Sequence, residues 1–286
     1  MTHILIHSLE HAFNDSLKIL PFLFITYLVM EILEKKAGEK TNIWLEKSGK
    51  AGPIVGGFLG VIPQCGMSAM ASNLYAGRII SVGTLLAIYL STSDEMLPIM
   101  ISRSVDAGII AKVLVIKVFI AILAGVLVDF IYCRLKNNEQ ETMKIHDFCE
   151  HEHCHCEDGI LKSAVRHTLQ IFLFILLITV LLNIGIEIIG EEQLADFILN
   201  KPVLGPILAG IIGLLPNCAA SVVITQMFLD GLMSFGTMMA GLLVGAGVGI
   251  LVLLRVNDNK KVSLKIIGIL YFTGILSGMI LNLFRI

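Results

Sequence analysis

The stretch GPIVGGFLGVIPQCGMS at 52–68 recurs without a gap, 153 residues later, as GPILAGIIGLLPNCAAS at 205–221. Gly52, Pro53, Ile54, Gly57, Gly60, Pro63, Cys65 and Ser68 return as Gly205, Pro206, Ile207, Gly210, Gly213, Pro216, Cys218 and Ser221. The same offset carries Ser81, Gly83, Thr84 and Ala87 onto Ser234, Gly236, Thr237 and Ala240. It carries Thr26 onto Thr179, and Lys112 and Gly125 onto Lys265 and Gly278. Chance similarity between apolar segments gives scattered Leu and Gly matches. It does not hold Pro, Cys, Ser and Lys in one register across roughly 130 residues. The chain therefore reads as a duplication. Its halves lie at 1–133 and 159–286, joined by a polar linker at 134–158.

Composition says where the halves reside. Of 286 residues, 56% are hydrophobic and only 15% charged, against about 25% charged in soluble domains. The mean hydropathy is +0.84. A chain of this size with one aqueous core would lack polar material for its surface, which excludes a soluble globular enzyme and a disordered protein. A net charge of −2 provides no basic face for phosphates and excludes a nucleic-acid partner. The apolar residues fall into eight runs, at 16–33, 52–77, 79–102, 108–133, 164–189, 203–229, 232–254 and 262–284. Most reach the ~20 residues a helix needs to cross a bilayer. Alternating ten-residue segments are absent, so a β-barrel is not expected. The expected fold is all-α and polytopic, with the lipid bilayer as its first partner. The leading segment lacks a basic region and a small-residue cleavage site. It reads as an amphipathic lead-in with His3, His7 and His11 on one face.

Charge orients the two halves. The loop after the first run carries Lys35, Lys36, Lys40, Lys47 and Lys50, whereas its counterpart holds Lys201 beside Glu191, Glu192 and Asp196. The segment 103–107 is weakly charged, and its counterpart 255–261 is basic. The linker carries Arg134, Lys136 and Lys144, with Lys162 and Arg166 just beyond. Basic short loops face the cytoplasm, so opposite biases at equivalent loops imply inverted repeats. Inversion needs an odd number of crossings per half, yet each half has four runs, so one run enters and leaves by the same face. The first candidate is 52–77, broken at Pro63 and, in the second half, at Pro216; the second is 79–102, interrupted at Ser91–Glu95. Counting the re-entrant pair as two gives about five segments per half. The linker is then cytoplasmic, with both termini outside the cell (inner or plasma) membrane.

Non-helical backbone at membrane depth is tolerated only in buried positions or beside a wet cavity. Paired interruptions in equivalent places point to a transport site. Each proline frees a carbonyl about one turn earlier, and each is followed by an amide and a cysteine: Gln64 and Cys65, Asn217 and Cys218. Gln64, Ser68 and Ser72 form a polar stripe at i, i+4, i+8, which Asn217, Ser221 and Thr225 repeat. Small polar residues of this kind also serve as hydrogen-bonding glue between helices. Asp94 and Glu95 lie in LLAIYLSTSDEMLPIMI, where an ionised carboxylate is costly and marks an ion or proton pathway. The second half has Gly247 and Val248 there, so the acidic pair is one-sided. Carboxylate, amide and hydroxyl oxygens suit manganese or a similar divalent ion. Cys65 and Cys218 suit zinc, copper or trivalent arsenic as thiolates, or act as small apolar fillers. The linker HDFCEHEHCHCEDG places His151, His153, Cys154, His155 and Cys156 in six residues, an accessory metal-capturing arm without zinc-finger spacing.

These residues resemble the ten-transmembrane heavy-metal exporter family, arsenic-efflux-like, some of whose members are described as manganese transporters. The resemblance covers nearly the whole chain. It rests on the paired G-P-I-x-x-G-x-x-G-x-[IL]-P-[QN]-C motifs, the T-S-D-E segment and the His/Cys linker. It implies export of a metal or metalloid, and a motif site at Pro63, Gln64, Cys65, Ser68, Pro216, Asn217, Cys218 and Ser221. The expected function is secondary transport of a divalent metal between two broken helices, coupled to protons through Asp94 and Glu95. The alternative is efflux of an arsenical or small organic anion. No G-x-x-x-x-G-K-[ST] and no H-E-x-x-H is present, so neither a nucleotide motor nor an intramembrane metalloprotease is expected. No enzymatic activity and no cofactor are expected, since the metal is cargo, and a homodimer is compatible with this reading.

Overall fold

A computed structural model describes residues 51–62, 65–93, 96–135, 204–216, 218–257 and 259–284, with single positions and pairs between 20 and 28 and between 165 and 180. Pro63, Gln64, Asp94, Glu95, Asn217, the His/Cys linker and the loops that carry Lys35 to Lys50 and Glu191 to Lys201 lie outside these residues, as do the side chains of Cys65 and Cys218.

All regular structure among the described residues is helical. The first half supplies α1 (Gly52–Leu59), α2 (Cys65–Ala76), α3 (Val82–Ser91), α4 (Met96–Ser102) and α5 (Ala107–Leu135). The second half supplies α6 (Leu204–Gly213), α7 (Cys218–Leu229), α8 (Phe235–Val244), α9 (Gly249–Val256) and α10 (Lys260–Leu283). The two sets correspond one for one, starting 152 or 153 residues apart. The apolar runs 52–77 and 79–102 are thus each two helices, and so are their counterparts. Among the described residues, three segments are long and apolar enough to cross a membrane: Ala107–Arg134, Phe235–Val256 and Lys260–Leu283. The second of these includes the non-helical turn at 245–248.

Local chemistry sets the helix ends alike in both halves. Ser81 and Ser234 are N-caps whose hydroxyls accept from the N–H groups of Thr84 (3.0 Å) and Thr237 (3.3 Å). Pro53 stands in the first turn of α1, where its missing N–H costs nothing. α2 closes on a left-handed residue: Ile79 N–H reaches Leu74 O (2.8 Å), and Arg78 has φ +59°. α7 closes the same way, Leu232 N–H reaching Met227 O (2.9 Å), with Gly231 at φ +75°.

Lipid tails are as apolar as leucine, so helices in a bilayer associate through close packing and hydrogen bonds rather than through hydrophobic burial. Glycines supply the close packing. α3 crosses α5 where a Cβ on Gly125 would lie 2.6 Å from Gly83 O, and α8 crosses α10 where a Cβ on Gly278 would lie 2.5 Å from Gly236 O. α1 lies on α3 and α5, and α6 on α8 and α10. The remaining helices pair across the halves: α2 packs on α9, and α7 on α4. α3 is buried along its whole length, as is α8 from Gly236 onward. α5 and α10 instead turn Val115, Phe119, Leu123, Leu264, Phe272 and Leu276 outward. An apolar exposed stripe over a glycine-packed interior is the arrangement of helices solvated by lipid.

Candidate functional site

The first turn of α2 meets the second half where α9 begins, just after the interruption that separates α8 from α9. Ser68 is fully buried in the first turn of α2, against Gly249, where a Cβ would lie 2.7 Å from Ser68 Cβ. Within the second half, a Cβ on Gly245 would lie 3.6 Å from Ser221 Oγ and 3.8 Å from Gly213 O. The equivalent motif serines therefore flank one segment, 245–249. That segment leaves helical geometry at Gly245, passes through Gly247 at φ +52°, and re-enters at Gly249. Only glycine adopts that φ without strain, so the GAGVG sequence lets the chain bend inside the protein.

Two hydroxyls hold this bend. Ser72 Oγ lies 2.8 Å from both Ser68 O and Gly249 O, and 2.6 Å from the Tyr89 hydroxyl. The Tyr89 hydroxyl donates to Gly249 O at 3.0 Å. Ser72 is thus engaged in joining α2 and α3 to α9. Thr225, its counterpart, bonds back to Ser221 O at 2.7 Å on its own helix. Asn73 is buried beside Ser72. The polar junction is one-sided, because the residues equivalent to Tyr89 and Gly249 are Leu242 and Met96.

At the α3–α4 interruption, Ser91, Thr92 and Ser93 are all buried, and their hydroxyls turn back onto carbonyls of Ala87, Ile88 and Ser91. Lys117, near the middle of α5, reaches this point. Its ammonium donates to Thr92 O and, at 3.0 Å, to Leu242 O. The side chain is 1% exposed, and no other charged side chain among the described residues is buried to that degree. Lys117 is absent from the candidates drawn from the sequence. Its signal was a lysine in the apolar run LVIKVFIAIL. Matching by recurrence hid it, because the second half has Leu270 at that position.

Of the sequence-derived candidates, Ser68 and Ser72 lie at the α2–α9 junction, Ser221 lies on α7 against Gly245 at the end of α8, and Thr225 lies one turn further along α7. Among the described residues there is no group of three or more His, Cys, Asp or Glu side chains able to hold a metal. The described centre offers hydroxyls, carbonyls and one ammonium, a polar core inside an otherwise apolar bundle.

Fold and centre together define a polytopic helical membrane protein with a buried polar junction between two equivalent sets of helices. A family model described as "Putative, 10TM heavy-metal exporter" matches residues 1–188 and 169–285, and the chain belongs to that family. Curated proteins yield no match, and neither do solved structures.

Proposed function

We propose that the chain is a secondary transporter that exports a divalent heavy metal, manganese or another transition metal, along a path between the interrupted helices of two inverted halves. The observation that carries this reading is the placement of Ser221 and Ser68, equivalent residues of the two halves, against Gly245 and Gly249 at the two ends of the turn between α8 and α9. Interrupted helices in equivalent positions are how membrane carriers expose backbone dipoles to a substrate. In this reading Gln64, Cys65, Ser68, Asn217, Cys218 and Ser221 offer neutral or thiolate ligands. Asp94 and Glu95 supply charge compensation and a route for exchanged protons. The His/Cys linker gathers metal on the cytoplasmic side. Opposed loop charges support the inversion, with the linker inside. The buried ammonium of Lys117 favours a second reading, efflux of an arsenical or small organic anion, for which it would be a counter-charge.

The deciding experiment is counterflow in proteoliposomes with manganese, zinc, copper and arsenite, each with and without a pH gradient. Saturable manganese or zinc flux that Asp94→Asn/Glu95→Gln abolishes supports the first reading. Flux of arsenite alone, lost in Cys65→Ser, replaces it with the second. No flux of any of the four overturns both.

A further inference from the structure

Lys117 is an expensive residue. An ammonium inside a membrane protein is retained only where it is paired and used. Its acceptors explain how it is held. α8 leaves helical geometry at Gly245, and the N–H of Ala246 turns to Val244 O at 2.8 Å instead of continuing the ladder. Leu242 O therefore lacks the partner that a longer helix would give it, and Lys117 takes that place. Thr92, the other acceptor, is the C-cap of α3. Both carbonyls lie at helix C-termini, where the helix dipole favours a cation. One end belongs to the first half and the other to the second. The ammonium thus ties the buried ends of α3 and α8 across the boundary between the halves. The equivalent position, Leu270, is buried and apolar, so the tie exists once and not twice.

We propose that Lys117 is a tethered cation that latches the two halves together in the resting conformation, and that binding of the transported ion occurs with this latch open. The latch itself stands on geometry alone. Its place in a cycle rests on the transporter reading above. Lys117 is in this sense a positioning residue: it biases which arrangement of α3 and α8 the empty protein adopts, and it is not required to touch the ion.

The test uses the full chain as wild type, Lys117→Gln, Lys117→Arg and Lys117→Ala. In detergent, amide exchange at the ends of α3 and α8 is expected to be about tenfold or more faster in Lys117→Gln, which has lost the charge, and near wild type in Lys117→Arg. Excess methylammonium chloride should slow exchange in Lys117→Ala, while tetramethylammonium, with no N–H, should not. If Lys117→Ala does not fold, the Gln and Arg variants decide. Exchange in Lys117→Gln equal to wild type, or equal rescue by tetramethylammonium, overturns the latch. In proteoliposomes, removing the latch raises the population of the binding-competent state, so Lys117→Gln is expected to lower KM for metal flux by about threefold or more. A merely structural lysine would lower the maximal rate with KM unchanged, and that result overturns the latch as a cycle element. Altered exchange with no metal flux in the wild type overturns the transporter reading and leaves the latch. Unchanged exchange with intact flux does the reverse.

Discussion

Asp129 lies on α5 and caps α3 from outside that helix. Its Oδ1 accepts from Gly83 N–H at 2.7 Å, and its Oδ2 from the Ser81 hydroxyl at 2.6 Å. Ser81 in turn accepts from Thr84 N–H and lies 2.8 Å from Thr84 Oγ1. Asp129→Ala removes both acceptors. The Ser81 hydroxyl retains Thr84, so its loss is small, but the buried Gly83 N–H in the first turn of α3 is left without a partner. An unmatched buried donor costs about 1–3 kcal/mol, and the charged hydrogen bond to Ser81 adds about 1 kcal/mol at a half-buried site. Loss of a negative charge at a helix N-terminus adds a few tenths more. The expected destabilisation is about 2–4 kcal/mol, or roughly 30- to 1,000-fold in the folding equilibrium. The chain contains its own control. The equivalent of Asp129 is Asn282, whose Oδ1 accepts from Ser234 at 2.8 Å and whose Nδ2 reaches Thr237 Oγ1 at 3.4 Å. Asn is thus compatible with this geometry, and Asp129→Asn should cost about 1 kcal/mol, one charge-assisted increment. The measurement is reversible unfolding in mixed micelles followed by far-ultraviolet circular dichroism. An Asp129→Ala variant within about 0.5 kcal/mol of wild type, or an Asn variant as damaged as Ala, refutes the reasoning.

The glycine crossings predict a matched pair. Gly125→Ala and Gly278→Ala each place a methyl against backbone oxygen, at 2.6 and 2.5 Å, and should each cost about 1–3 kcal/mol in the same unfolding assay. The two lie in different helix pairs, so their costs should add within about 0.5 kcal/mol. Gly249→Ala puts a methyl 2.7 Å from Ser68 Cβ and 2.9 Å from the Ser68 backbone. It should spread α2 from α9 and reduce metal flux at least about tenfold, a 1.4 kcal/mol effect, under the transport reading. Tyr89→Phe leaves Gly249 O to Ser72 alone and should destabilise by about 1 kcal/mol. Ser72→Ala combined with Tyr89→Phe should cost less than the sum of the single changes, because both hydroxyls serve one carbonyl.

The scaffold was legible because its determinants are local and repeated. Pro53 at a helix start, the Ser81 and Ser234 caps, and the glycines at 83, 125, 236 and 278 announce themselves by recurring at one offset. Apolar run length announces the membrane. What recurrence cannot reveal is what each half does differently. The 232–254 run looked continuous in sequence, since glycine and alanine are as apolar as their neighbours; only the backbone at Gly245–Val248 breaks it into α8 and α9. Ser72 and Thr225 look alike in sequence, yet Ser72 bridges three helices and Thr225 bonds only its own. The partner that distinguishes them, Gly249 O, is 177 residues from Ser72, a separation that no local pattern encodes.

The same comparison indicates where the function is carried. A duplicated chain with identical halves would bind its substrate on a two-fold axis and would treat both conformations alike. Here equivalent positions have diverged in pairs: Tyr89 with Leu242 and Lys117 with Leu270 at the buried junction, Asp129 with Asn282 at the N-termini of α3 and α8, and, in the sequence, Asp94-Glu95 with Gly247-Val248. In every pair the first half holds the polar or charged member. The second half holds an amide, an aliphatic residue or glycine; Gly247 at φ +52° turns its backbone, and Gly249 lets α9 approach Ser68 of the first. The two halves have thus divided the work, one supplying charge and hydroxyls and the other supplying carbonyls and room. Lys117 on α5, Tyr89 on α3 and Ser72 on α2 belong to the polar half, and the Leu242 and Gly249 carbonyls that they bond come from the other. Transport through such a junction should respond to substitutions in 89–117 far more than to the equivalent ones in 242–270. Leu242→Tyr or Leu270→Gln should therefore leave flux within about threefold of wild type, where Tyr89→Leu and Lys117→Gln change its kinetics. Equal sensitivity of the two halves would mean that the site lies on the pseudo-two-fold axis and that the divergence is incidental.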